Sequence, residues 1–231
     1  MSGRMERLVL QGRQCVCFVP EDSIQRIFFL CGWKMEPMLP ALAEEVPETL
    51  LFFAEADGGV DFTPWPAEPA RDGEIFSGGG TEYLRFLTEA AAPYLHARYD
   101  VEENPARRAI FGYSLGGLFA LWALCGTDFF GQGGSLSGSL WYPGFVEYLR
   151  EQPPQKARWI YLSLGDREPF GGPPPMRTVG QRTEEAAALL RGAGYDVTLE
   201  WNRGGHAKGV ENRWKKALRW AAYGRNTEER K

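Results

Sequence analysis

A chain of 231 residues that is 44% hydrophobic, 13% aromatic and 24% charged has enough apolar material for one sizeable core, which excludes a disordered or collagen-like protein. Lysine and arginine number 26 against 30 aspartates and glutamates, a formal charge of −4, so no global positive field draws nucleic acid or an anionic membrane surface. Bulk electrostatics name no partner.

Met1 to Arg13 is charged and interrupted, unlike a signal peptide, and no later run approaches the ~18 apolar residues of a membrane span. From there short apolar runs rich in β-formers alternate with helical patterns, which predicts an α/β fold with a largely parallel sheet. Strands are predicted at Arg7–Gln11, Cys15–Val19, Arg26–Cys31, Thr49–Ala54, Arg108–Gly112, Gly133–Leu136, Trp159–Leu164 and Asp196–Trp201, the first two as an antiparallel hairpin. Helices are predicted near Leu39–Glu45, Thr81–Tyr99 with Thr81 as N-cap, Leu115–Cys125, Gly144–Glu151, Thr178–Gly192 and Val210–Tyr223. The Pro/Gly-rich stretches Asp57–Gly80 and Pro169–Gly180 are longer than ordinary connections, and such loops tend to carry function. No repeat or interdomain linker interrupts the pattern, so residues 1–231 are read as a single domain. Cys15, Cys17, Cys31 and Cys125 sit inside apolar segments and form no C-x-x-C, which reads as reduced core thiols in a cytoplasmic protein.

The chemistry concentrates at Gly112-Tyr113-Ser114-Leu115-Gly116, a G-x-S-x-G with an apolar strand entering and an apolar helix leaving. A serine on so tight a turn needs neighbours without Cβ atoms, which Gly112 and Gly116 supply, and the helix after it aims free N–H groups at a developing oxyanion. No phosphate-binding G-x-x-x-x-G-K-[ST] is present. A serine needs a base, and the chain has two histidines. His96 falls inside a predicted helix before the serine and reads as a solvated or capping residue. His206 follows the last strand across Asn202-Arg203-Gly204-Gly205, at the carboxyl edge of the sheet where α/β sites lie.

The orienting acid belongs between serine and histidine in this chain order. The strand Trp159–Leu164 runs into Gly165-Asp166-Arg167-Glu168, which offers two carboxylates, Glu168 and, as runner-up, Asp166. Oxyanion donors are expected at the N–H of Leu115 and at that of Trp33, with Gly32 as the alternative. No His/Cys/Asp/Glu cluster has metal-ligand spacing, so neither metal nor cofactor is expected.

These pieces together resemble the putative-esterase branch of the α/β-hydrolases, which includes enterochelin (siderophore) esterases, feruloyl esterases, esterase D and mycolyltransferases. The resemblance rests on Thr63-Pro64-Trp65, Gly112–Gly117, Ser137-Gly138-Ser139-Leu140-Trp141, Gly165–Pro169 and Glu200–His206, which occur in the family's order. It implies the α/β-hydrolase fold, an eight-stranded mostly parallel sheet flanked by helices, with Ser114 and His206 catalytic and with Glu168 as the acid, since in many α/β-hydrolases the acid ends a G-x-x-D or G-x-x-E step; the alternative from siderophore esterases is a Ser/His pair without the acid. The segment Ser137 to Lys156 is too short for a helical cap, so an open pocket is expected, walled by Trp33, Trp65, Trp141 and the Gly171–Met176 loop, with Arg167 and Arg203 available to an anionic substrate. The function expected is a serine esterase acting through an acyl-enzyme on a siderophore-type or small acyl or aryl ester. An acyltransferase would use the same intermediate. A non-catalytic binding protein is the third class, against which the intact serine, histidine and acids argue.

Overall fold

Strands that are apolar on both faces stand in the middle of one eight-stranded sheet, and strands with mixed faces stand at its edges. The computed structural model describes residues 3–101, 103–154 and 156–224. Its strands are β1 (Gly3–Leu10), β2 (Arg13–Pro20), β3 (Arg26–Cys31), β4 (Thr49–Ala54), β5 (Pro66–Ala67), β6 (Phe76–Ser77), β7 (Arg108–Tyr113), β8 (Gln132–Leu136), β9 (Trp159–Gly165) and β10 (Asp196–Asn202). The sheet runs β1-β2-β4-β3-β7-β8-β9-β10, and β5 and β6 form a separate pair. Pairings of β2 with β1 and β4 are antiparallel, and all the others in the large sheet are parallel. Every residue of β4 (TLLFFA) is buried, as expected for a parallel strand covered on both sides.

The helices are α1 (Leu39–Ala43), α2 (Gly58–Asp61), α3 (Gly80–Arg85), α4 (Ala92–Tyr99), α5 (Leu115–Gly126), α6 (Phe145–Glu151), α7 (Pro174–Arg177), α8 (Val179–Gly192) and α9 (Val210–Tyr223). On one face of the sheet α1 and α9 bury Leu39, Leu42, Trp214 and Leu218 against Phe28, Leu30 and Phe111. The larger core on the other face gathers α3 to α6 and α8 around Ile27, Phe29, Phe52 and Ile110. Burial pushes the Cys15 thiol up to about 11 and those of Cys17 and Cys125 up to about 12, so they stay protonated and act as core residues. Among the described residues no helix is long and apolar enough to cross a membrane.

The predicted α/β-hydrolase fold is the observed one, with three local differences. Gln11 belongs to a turn, not a strand: it and Gly12 have φ of 48° and 81°, the two-residue hairpin turn that matches strand twist. Thr81 is not an N-cap, because the helix begins at Gly80 after Gly79. Thr63 serves that end instead, its carbonyl accepting from Gly80 N–H at 3.0 Å and its hydroxyl from Gly78 N–H at 2.9 Å. The helix predicted over Thr81–Tyr99 is continuous but passes through a π-helical stretch, Phe86–Ala91. Pro93, two residues beyond its end, can donate no backbone hydrogen bond, which accounts for the change of register.

Candidate active site

Where β7 turns into α5, Ser114 has φ 60° and ψ −123°, a conformation that ordinary residues avoid and that the surrounding backbone has to impose. The turn is that tight because a Cβ on Gly112 would collide with the carbonyl of Gly116, and one on Gly116 with the carbonyl of Cys31. Both glycines of the motif are therefore required by contacts across the turn. Ser114 is tied down on both sides: its N–H donates to Leu136 O at 3.1 Å, and its carbonyl accepts from Ser139 N–H at 3.0 Å.

His206 lies beyond β10, in the loop before α9, with Nε2 3.0 Å from Ser114 Oγ. Its other nitrogen, Nδ1, is 2.7 Å from Glu168 Oε2. Since Glu168 offers only acceptors when ionised, Nδ1 carries the proton and the bare Nε2 faces the serine hydroxyl. The Glu168 side chain is 4% exposed and that of His206 is 49% exposed, so the pair runs from the interior to the cavity. Burial alone would raise the Glu168 carboxyl. The hydrogen bond and charge of His206, with donors from Gly165 N–H and Ser137, outweigh it and hold the group below its ordinary value.

Asp166 does not reach the histidine ring. Its Oδ1 accepts from Gly204 N–H at 2.7 Å, bracing the loop that carries His206. His96 is buried, not solvated: its Nδ1 is 2.7 Å from Val101 O and its Nε2 3.3 Å from a guanidinium nitrogen of Arg108. It is a satisfied core histidine.

Sequence reasoning missed Arg213. It is 1% exposed and is held at the back of the site. One guanidinium nitrogen lies 2.6 Å from Glu168 Oε1 and 3.1 Å from the Tyr113 hydroxyl, and also donates to Ser137 Oγ. The other donates to Gly205 O at 2.9 Å. Ser137 Oγ in turn donates to Glu168 Oε1 at 2.8 Å, and the Tyr113 hydroxyl to His206 O at 2.5 Å. One arginine thus links the ends of β7, β8 and β9 to the loop after β10. A signal was present: positions 210, 213, 214, 217, 218 and 221 form the inward stripe of α9, and Arg213 is the charge set among Trp214, Ala217 and Leu218.

Ser114, Leu115, Glu168 and His206 open on a cavity of about 280 Å³, also lined by Arg71, Glu74, Phe76, Trp141, Arg167, Gly171, Gly172, Met176 and Val179. Trp141, Arg167 and the Gly171–Met176 loop are therefore where they were expected. Three other expectations are corrected. Trp65 packs on Tyr142 and Tyr148 and donates to Pro143 O at 3.0 Å, so it braces the wall from behind. Arg203 is exposed outside the cavity lining. The Trp33 ring is 79% exposed beside Lys34 and lines, with Gly32, a neighbouring depression. The backbone at Trp33 is a separate matter: register pairs Cys31 with Gly112, which brings the chain at Gly32 and Trp33 alongside the serine turn. Among the described residues no three His, Cys, Asp or Glu side chains gather as a metal site.

The chain matches the family described as "Putative esterase" over residues 41–221. It is 30% identical over 193 residues to the uncharacterized protein YbbA of Bacillus subtilis (strain 168), a match covering 79% of this chain and 76% of the relative. Among solved structures it superposes on the siderophore hydrolase EstA from Aspergillus nidulans with a TM-score of 0.73 at 18% identity, covering 95% of this chain and 94% of the other. The enterobactin esterase FES from Shigella flexneri gives a TM-score of 0.74 at 18% identity, covering 96% of this chain and 59% of that one. At such identities the structural likeness is one of fold.

Proposed function

The chain belongs to the Putative esterase family, and from that premise we propose that it is a serine hydrolase that cleaves carboxylic esters through an acyl-enzyme. The observation that carries the reading is the continuous hydrogen-bonded line from Ser114 Oγ through His206 to Glu168, with the serine on a strained turn at a helix N-terminus. In this mechanism Ser114 Oγ attacks the ester carbonyl as Nε2 of His206 takes its proton. The oxyanion is held by the N–H of Leu115 and by that of Trp33, with Gly32 as the alternative donor. Collapse expels the alcohol, which receives the proton from His206, and water deprotonated by the same imidazole releases the acid. Glu168 keeps the ring in the working tautomer and balances the imidazolium; Arg213 is a positioning residue that holds Glu168. Siderophore-type esters and small acyl or aryl esters suit a cavity lined by both rings and charges.

The direct test is a panel of p-nitrophenyl acyl esters, a feruloyl ester and a trilactone siderophore, run beside fluorophosphonate labelling. Turnover and one label per chain are expected; a folded protein that shows neither is not a serine esterase.

The two acids separate cleanly. Glu168→Gln should lower kcat by about 10⁴-fold, because the amide can present the wrong tautomer partner to Nδ1. Asp166→Asn, which keeps an oxygen for Gly204 N–H, should stay within about tenfold. A larger loss at Asp166 would overturn the assignment. Stability adds a second reading. Since the native Glu168 carboxyl titrates below its unfolded value, its contribution is complete at neutral pH and is lost as pH falls through the lowered value. The melting-temperature gap between wild type and Glu168→Gln should therefore narrow in acid.

Arg213→Met strips a buried carboxylate of its cation, which typically costs about 3–5 kcal/mol. Chemical denaturation should show that loss, and the surviving folded enzyme should lose kcat with KM little changed. Arg213→Lys, which restores charge but not the fork, should recover part of both. Loss of stability with full kcat would reduce Arg213 to a structural residue.

A further inference from the structure

His206 has to stay within hydrogen-bond reach of Ser114, yet the chain that carries it is not wedged in place by packing. Ala207, Lys208 and Gly209 are exposed, and a Cβ added at Gly205 or Gly209 would meet nothing within 4 Å. Gly204 and Gly209 have φ of 109° and 69°, and glycine has more backbone freedom to lose than any other residue. Hydrogen bonds therefore hold the loop. Asp166 Oδ1 and the N–H of Arg167 secure the two backbone groups of Gly204, and Arg213 secures the Gly205 carbonyl. On the backbone of His206 itself, the one hydrogen bond among the described residues comes from the Tyr113 hydroxyl, 2.5 Å from the carbonyl oxygen.

Tyr113 immediately precedes the nucleophile, so this contact closes a ring. Ser114 Oγ meets His206 Nε2 at 3.0 Å, the His206 carbonyl accepts from Tyr113, and Tyr113 is joined to Ser114 by a peptide bond. The Tyr113 side chain is itself fixed. Its ring packs on those of His206 and of the buried Trp214, with centroids 5.4 and 6.5 Å apart. Arg213 donates to its oxygen at 3.1 Å, which leaves the hydroxyl proton for His206 O, and the same guanidinium nitrogen holds Glu168 Oε1 at 2.6 Å. We propose that Tyr113 is a positioning residue for the base, setting where the main chain of His206 stands relative to Ser114. The inference rests on the serine-esterase reading. Glu168 bonds a single ring nitrogen, about which the imidazole and its loop could still swing, and the tyrosine supplies the second tether. Tyr161 shows the contrast of a hydroxyl that serves structure alone: it donates to Glu200 Oε2 at 2.6 Å and lies outside the catalytic cavity lining.

The test is Tyr113→Phe, which keeps the ring and removes the hydroxyl, beside Tyr161→Phe as control. In Tyr113→Phe kcat should fall by about 10- to 100-fold, the scale of a base displaced by a fraction of an ångström to one ångström, with KM changed less than about twofold. Fluorophosphonate labelling should slow by the same factor, because it too needs Nε2 to take the serine proton. Tyr161→Phe should lower the melting temperature and keep kcat. A Tyr113→Phe enzyme that loses stability but retains full kcat and labelling rate would overturn the proposal. A second measurement needs no turnover: proton NMR of the His206 Nδ1–H shared with Glu168. A resolved downfield signal is expected in wild type and in Tyr161→Phe, and its loss through faster exchange with water in Tyr113→Phe. Its persistence in Tyr113→Phe, or its absence from wild type, removes the proposal whatever the substrate. A wild type that shows the signal but neither turns over esters nor takes the label counts instead against the esterase reading.

Discussion

Ser114→Ala is expected to abolish fluorophosphonate labelling and to lower kcat by about 10⁴ to 10⁶-fold, with the fold retained. The size follows from the mechanism: without Oγ no acyl-enzyme can form, and what remains is whatever water gains from the oxyanion donors and from binding. The alanine is also expected to keep the positive φ at position 114, because the turn is forced by the contacts of Gly112 with Gly116 and of Gly116 with Cys31 and not by the hydroxyl. Melting temperature should accordingly move little, since alanine tolerates that backbone no worse than serine does. The measurement is intact-mass labelling together with initial rates on the best ester of the panel. Labelling of the alanine variant at the wild-type rate would place the nucleophile elsewhere.

His206→Ala should be almost as severe, again on the order of 10⁶-fold in kcat, because serine and base act as one unit and losing either disables both. His96→Ala supplies the contrast. It leaves the Val101 carbonyl and an Arg108 N–H without their buried partner, so it should lower stability by about 1–3 kcal/mol while the folded enzyme keeps its kcat. Two histidines therefore give opposite signatures, one in rate and one in melting. Similar losses of kcat in both variants would remove His206 from the role of base.

The sheet and the line of Ser114, Glu168 and His206 were legible in the chain for a physical reason. Strand and helix periodicity is local, the serine turn demands glycine at positions 112 and 116, and the order of strands sets which loops share the carboxyl edge. The choice of Glu168 over Asp166 needed only the family's spacing rule, and the coordinates bring Glu168 to Nδ1 while Asp166 caps Gly204. What the chain could not declare depends on where separate segments meet. Trp65 and Trp141 look alike as residues on apolar loops. Both pack on Tyr142, but Trp65 is also held by Tyr148 and Pro143 O away from the cavity, whereas Trp141 packs on Phe76 and lines it. Gln11 and Thr81 carry ordinary strand and cap character, and their environments were set by the hairpin twist and by Thr63, a residue on a different loop.

Arg213 and Glu74 mark the same boundary most clearly. Arg213 is a charge on the inward stripe of α9, but its partners come from the ends of β7, β8 and β9 and from the loop after β10, which meet only in three dimensions. Glu74 is one acid among the many in a Pro/Gly-rich loop, and nothing local distinguishes it. Burial of one of its oxygens is a property of the closed tertiary structure alone, because desolvation is decided by whatever else packs around the atom.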